Sequence, residues 1–245
     1  MVQSNTSRSA SSVPTRSDRR RALGKYVNQK IRRLQSAYIS GSSSDARGRM
    51  ALLRKGLDTG AVRWLSVGID LYSDWPRETL GDPTDESDYY IKPEIRAIAT
   101  SLQVYALHQQ SKSEAMAWMP GRMDATGDMS EQTNNVWPQN LHSFGHACFE
   151  IDGKQDDLGS KVTPILKQLQ SMEDFPDFDN IRHHLYSLIR MMRGQSVSLD
   201  YNSFARDLYD LQFPNSCSSV FDRWAREYFN AQVNQTNAKD RSSEE

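Results

Sequence analysis

The sequence predicts an all-α fold made of two small helical bundles with long loops between helices. Apolar residues recur at i, i+3 and i+4 in several segments, the alternation typical of strands is weak, and Ser, Asp, Gly and Pro stand where these segments would begin and end. We expect an N-terminal bundle over residues 19–138 and a C-terminal bundle over 139–232. A disordered basic arm, 1–18, and a disordered tail, 233–245, would flank them.

The N-terminal half contains three predicted helices. Leu23, Val27 and Ile31 share one face of the first. Asp45 can cap the second, and Pro93 can occupy the first turn of the third, where its missing N–H costs little. These helices cover residues 19–39, 46–56 and 93–109, with an acidic loop over 57–91 and a polar loop over 120–138.

The C-terminal third has the clearest helical periodicity. One apolar face runs along residues 179–193, Gly194 can end that helix, and Asp200 can cap the next. Short connections between helices indicate an antiparallel bundle. The predicted helices cover residues 179–193, 200–212 and 219–232.

The segment HSFGHACF, residues 142–149, raises the question of a metal site or a Cys–His catalytic pair. On one helix Cys148 would lie roughly 200° from His146, so the two cannot share a metal ion. Ser143 is a good N-cap, which places His142 outside the helix. The segment also lacks an HExxH pattern. We therefore predict no enzyme, no cofactor and no metal here.

Charge is distributed unevenly along the chain. Residues 1–55 carry 13 Lys/Arg and two Asp, a net charge of +11, whereas residues 56–90 carry −6 and residues 131–160 carry −4. Such segregation indicates a surface that faces a polyanion, although part of the positive charge belongs to the disordered arm.

A basic row runs beside the apolar face of residues 179–193. We use this name for Arg182, Tyr186, Arg190 and Arg193, which fall within about 80° of one another on a helix. No acidic residue occurs from 181 to 199. The row is either a solvated face whose arginines pair with nearby acids or a track for phosphates with an aromatic that can stack a base.

The chain resembles the small subunit of the type I-E CRISPR Cascade complex, the CasB family. The resemblance rests on segments that occur in order from about residue 19 to 230: LGKYVNQKIRRLQ, ARGRMALLRKG, LQVYALHQQS, SFGHACFEI, IRHHLYSLIRMMRG, LDYNSFARDLYDLQFP and RWAREYF. It implies an all-helical, noncatalytic subunit that dimerises within the complex. Basic side chains of this family help to hold the guide–target heteroduplex and the displaced strand.

The resemblance also implies a basic surface and a set of partners. The expected partners are the backbone and large subunits of Cascade, crRNA, target DNA and a second copy of this chain, with no membrane. His146 stands where relatives often carry Arg. The residues expected to contact nucleic acid are Arg47, Arg54, Arg96, Lys112, Arg182, Arg190, Arg193, Arg223 and Arg226.

Two other functions stay open at this point. One is a helical protein–protein adaptor whose basic faces contact acidic partners, with no direct role for nucleic acid. The other is a metal-dependent enzyme that uses His142, His146 and nearby carboxylates. A cytoplasmic location is expected, since Cys148 and Cys217 have no metal-type spacing and no secretory segment is visible.

Overall fold

The computed structural model describes residues 13–41, 44–58, 70–85, 91–119, 141–153 and 161–243, together with residues 68 and 87. These described residues contain nine named helices and a single isolated parallel bridge, between Ala117 and Leu199. The all-α prediction is confirmed. The helices are α1 (Arg16–Ile39), α2 (Ser44–Asp58), α3 (Arg77–Leu80), α4 (Ile91–His108), α5 (Phe144–Gly153), α6 (Val162–Gln170), α7 (Phe178–Gln195), α8 (Tyr201–Asp210) and α9 (Pro214–Ser243).

Helix starts follow the capping residues. Thr15 forms a capping box with Asp18, so α1 begins at Arg16, inside the segment expected to be a disordered arm. Asp200 caps α8 as predicted, and Asp177 caps α7. Because a side-chain cap satisfies amides that the helix leaves unpaired, these residues fix where each helix begins.

The last helix is much longer than the sequence predicts. It starts at Pro214, a favoured first residue of a helix, and continues past Gln232 to Ser243. No Gly or Pro follows Pro214 within the helix, so no residue breaks it where a disordered tail was expected. The short α3 and α6 were not predicted.

Several expectations fall partly or wholly outside the described residues. These are residues 1–12 of the expected arm, parts of the acidic loop 57–91 and the whole polar loop 120–138. The boundary between the two expected bundles, at residues 138 and 139, lies there too, so this division stays a prediction.

Helices from both halves of the chain share one hydrophobic core. Helix α1 packs on α8, α4 packs on α7 and α8, and α5 packs on α9. Gly24 allows the approach of α1 to α8, because a Cβ there would lie 2.8 Å from the Asn202 carbonyl oxygen and 2.9 Å from Arg206 Cγ. The largest fully buried side chains include Tyr105, Tyr201 and Trp224. Packing of this kind brings basic side chains from distant segments onto common surfaces.

A buried ion pair joins the first helix to α4. Arg19 of α1 pairs with the fully buried Glu94 of α4 at 2.7 Å, which fixes these helices relative to each other. None of the helices in the described part of the chain is long and apolar enough to cross a membrane.

Candidate nucleic-acid interface

Helix α7 presents the basic row beside its buried face. Ile181, Leu185 and Leu188 are fully buried against the core, whereas Arg190 is exposed and Arg182 and Arg193 are half-buried. The helical phase predicted from the sequence is therefore correct. The surroundings of the row differ between its two ends.

The N-terminal end of the row is neutralised within the chain. Asp179 lies 3.4 Å from Arg182, one turn along the same helix, and 3.6 Å from Arg96 of α4. Arg96 also lies over the Phe178 ring, with its guanidinium carbon 4.9 Å from the ring centroid. One carboxylate thus compensates two of the predicted site arginines. We call Arg96, Arg182 and Asp179 the paired end.

The C-terminal end of the row keeps its charge. Arg190 has no ion pair or hydrogen bond within the described residues, and Arg193 Nη1 donates to the neutral Gln110 Oε1 at 2.8 Å. Gln110 comes just after α4, so the contact fixes Arg193 without cancelling its charge. These two arginines remain available to an external anion.

Two more cations from other segments join this end. Arg54 of α2 donates to the Ala106 carbonyl oxygen at 3.3 Å, and burial and the nearby charge of Arg193 lower its pKa. Lys112 Nζ donates to Ser196 Oγ at 2.7 Å, beside the exposed Glu114 at 3.9 Å. We call Arg54, Lys112, Arg190 and Arg193 the basic end.

Helix α2 extends the positive surface by two turns. Arg47 is exposed and lies seven residues before Arg54, so both share a face of α2 about 10 Å apart along its axis. The structure brings Arg54, Lys112 and Arg193 together from three segments. Periodicity within one helix could not have revealed this convergence.

A buried histidine that no sequence motif singles out lies beneath the basic end. His108 is fully buried, and its Nδ1 lies 3.1 Å from the Tyr201 hydroxyl. Burial, with the charges of Arg193 and Lys112, lowers the pKa of His108 to about 4. The ring is therefore neutral near pH 7, and the charge of this surface comes from Arg and Lys alone.

The two remaining predicted residues lie on α9. Arg223 pairs with Asp207 and lies 3.8 Å from Glu227, whereas Arg226 is exposed and has no ion pair in the described part of the chain. The structure thus divides the nine predicted arginines and lysines into separate groups. The groups differ in how far nearby carboxylates cancel their charge.

The HSFGHACF segment packs as part of the core. Ser143 Oγ accepts the His146 amide at 3.4 Å as an N-cap, and His142 lies outside α5, stacked on Trp118 with ring centroids 4.9 Å apart. Burial raises the pKa of the Cys148 thiol well above its usual value, which opposes a nucleophilic role. His146 Nδ1 lies 3.2 Å from Glu150.

A metal site is not found at these residues either. Across the described ranges, no group of three or more His, Cys, Asp or Glu side chains could hold a metal ion.

Comparisons with known proteins agree with the fold. The model of the CRISPR-associated protein Cse2 family matches residues 49–229. The structure is similar to that of CasB from Thermobifida fusca, with a TM-score of 0.61 and 19% sequence identity, covering 84% of this chain and 97% of that one. At this identity, the structural likeness speaks for the fold alone. No curated protein matches the sequence.

Proposed function

The chain belongs to the CRISPR-associated protein Cse2 family and is thus a subunit of a CRISPR Cascade complex, within which we propose that it stabilises the R-loop through its basic end. The family confirms the resemblance to CasB proteins. We also propose that this subunit is noncatalytic and that it contacts the phosphate backbone of crRNA, target DNA or the displaced strand.

The uncompensated charge of the three arginines of the basic end carries this proposal. Arg54, Arg190 and Arg193 have no carboxylate partner within ion-pair distance in the described residues. Arginines that keep their charge can bind phosphates and release counterions, which gives affinity without reading bases. In RNA-guided recognition base pairing reads the sequence, and R-loop formation is nearly balanced in free energy. A few nonspecific phosphate contacts can tip that balance.

A noncatalytic role agrees with the chemistry of the candidate groups. Cys148 is fully buried, and burial raises the pKa of its thiol. His142 Nδ1 lies 3.0 Å from Ser198 Oγ, and the His142 ring stacks on Trp118. Neither residue forms a nucleophile–base pair with the other. We further propose a cytoplasmic location and a homodimer inside the complex, as the family resemblance implies.

The test measures target-DNA binding by the reconstituted complex with Arg54, Arg190 and Arg193 changed to Gln. Loss of three phosphate contacts should flatten the plot of log K against log salt by about 2 for a single strand. The control is R33Q/R77Q, which removes two charges from exposed arginines already paired with Asp74 and Asp82. An unchanged slope for the triple variant would exclude the basic end as a phosphate-binding surface.

Exposed apolar side chains favour the alternative function, a protein–protein adaptor. Phe175, Phe229 and Val233 are exposed to 89%, 57% and 56%, and such apolar side chains suit a protein partner. If the triple variant binds target DNA normally but the subunit fails to assemble when Phe229 and Val233 are changed to Ser, the adaptor function is favoured.

A further inference from the structure

Two hydrogen bonds cross between the ends of α4 and α7. Arg193 Nη1, in the last turn of α7, donates to Gln110 Oε1 at 2.8 Å, and Lys112 Nζ donates to Ser196 Oγ at 2.7 Å. Gln110 and Lys112 follow α4, whereas Ser196 follows α7. Each helix end therefore supplies one cation and one neutral acceptor to the other. We call these two contacts the crossed hydrogen bonds.

The loop after α4 is wound around a fully buried amide, that of Gln109. Its Nε2 donates to the carbonyl oxygens of Lys112 and Glu114 at 3.1 and 2.8 Å, and its Oε1 accepts the Met116 amide at 3.0 Å. A buried polar side chain with its hydrogen bonds satisfied makes the surrounding backbone rigid. The loop therefore presents the Gln110 acceptor from a fixed position.

The second acceptor lies at an equally well-defined place. Ser196 ends α7 in the left-handed region, with φ 56° and ψ 37°, and its amide donates to the Arg193 carbonyl oxygen at 3.3 Å. Its hydroxyl is thus placed just beyond the last turn, where it meets Lys112. Because of this backbone conformation, Gly and Asn are the substitutions that the position tolerates best.

The crossed hydrogen bonds hold cations that repel one another. Burial and the charge of Arg193 lower the pKa of Arg54, so these two guanidinium groups are close enough to interact. Without an acceptor, repulsion would turn the long Arg193 side chain away from its neighbour. At the paired end, by contrast, arginines are held by the carboxylate of Asp179, which also neutralises them. Neutral acceptors hold a cation without that loss of charge.

We propose that Gln110 and Ser196 are positioning residues, which hold Arg193 and Lys112 in the orientation that receives an external anion without adding negative charge. The inference rests on the phosphate-binding role proposed for the basic end. Ordering a long side chain during binding lowers the affinity, so a cation that is already held binds more tightly. Neither acceptor needs to touch the ligand itself.

Two substitutions of Gln110 separate position from charge in target-DNA binding by the reconstituted complex. Q110L removes the acceptor and leaves Arg193 charged, so the affinity should fall roughly two- to tenfold while the slope of log K against log salt stays unchanged. Q110E keeps an acceptor but adds a charge that pairs with Arg193, so the slope should fall by about 0.7 on a single strand. Q168L and Q168E, at an exposed position of α6, are the matched controls.

A residue that only braces the fold gives a different pattern. Q110E would then retain the hydrogen bond and have the same slope as Q168E, and this result would overturn the inference. Equal affinities for Q110L and Q168L would overturn it as well. If Q110L also destabilises the chain, the slope of Q110E decides, because that variant keeps the contact.

Rescue tests the second acceptor. S196G keeps the left-handed backbone but loses the hydroxyl, so the affinity should fall by a similar factor, again with an unchanged slope. S196N provides an amide oxygen and tolerates the same backbone conformation, so it should regain the affinity. An S196G complex that binds as tightly as the unchanged one, or a loss that S196N does not restore, would remove Ser196 from the proposal.

The single variant R193Q separates this inference from the proposed function. If R193Q leaves the slope unchanged, the proposed phosphate contact at Arg193 fails, and the positioning role of Gln110 fails with it. If R193Q lowers the slope by about 0.7 on a single strand while Q110L and Q110E behave like their controls at Gln168, the proposed function stands and only the positioning role is wrong.

Discussion

Both ends of helix α7 carry arginine beside the apolar face, but the surroundings of these arginines differ. Arg182 at the paired end shares Asp179 with Arg96, whereas Arg190 at the basic end has no ion pair in the described residues. Both ends place arginine beside an apolar face, but at the paired end the Asp179 carboxylate neutralises the arginine charge. A row of basic residues therefore indicates a nucleic-acid surface only after the carboxylates that pair with it inside the protein have been located.

The histidine beneath the basic end, His108, should make protein stability depend strongly on pH. The pKa of His108 is lowered from 6.5 to about 4, so the folded state disfavours its protonation. The stabilisation by neutral His108 is fully present above pH 6.5 and is lost as the pH falls toward 4, by at most about 3 kcal/mol. The loss of stability that His108→Gln causes should therefore shrink as the pH falls.

Urea unfolding of both proteins between about pH 7 and pH 4 measures this difference. Comparison with the variant removes the contribution of other titrating groups. A difference in unfolding free energy that stays constant with pH would contradict the burial of a neutral ring at this site.

A second change should convert the paired end into a binding surface. Asp179→Asn removes the carboxylate shared by Arg96 and Arg182 and leaves both arginines in place. The contact newly available at Arg96 should steepen the salt dependence of nucleic-acid binding by up to about 0.7 on a single strand. Asp85→Asn, which changes the net charge equally at an exposed turn, is the control for long-range effects. Equal slopes for the two variants would mean that Asp179 does not mask its partners.

The reverse change should mask the basic end. Ser187→Asp places a carboxylate three residues before Arg190, the same spacing that joins Asp179 to Arg182. The slope should fall by about 0.7, one contact on a single strand, with every arginine still present. Ser187→Asn is the neutral control. Similar binding by Ser187→Asp and Ser187→Asn would indicate that Arg190 does not contact phosphate.

Much of the fold could be predicted from local patterns in the sequence. The phase of α7, the Ser143 cap and the Asp200 cap all depend on residues within a turn of one another, so periodicity and capping rules identified them. Helix α6 was missed, although Val162, Leu166 and Leu169 have helical spacing. The end of α9 was misjudged because a polar segment without a helix breaker was interpreted as a disordered tail.

The candidate surfaces were harder to predict from the sequence, since they depend on tertiary contacts. The Arg182–Asp179 pair lies within one helix turn and could have been anticipated from the sequence. The contact between Arg96 and Asp179 joins residues of two helices that lie 83 positions apart in sequence. The docking of α1 on α8 next to Gly24 likewise joins segments that are distant in sequence.

The most direct measurement compares the two ends of α7 in one experiment. R190Q/R193Q and R96Q/R182Q remove the same charge, and each complex is titrated with target DNA over a range of salt. If the basic end binds phosphates and the paired end does not, the slope falls by about 1.4 on a single strand for R190Q/R193Q and changes little for R96Q/R182Q. Equal changes for the two variants, or a larger change for R96Q/R182Q, would contradict it.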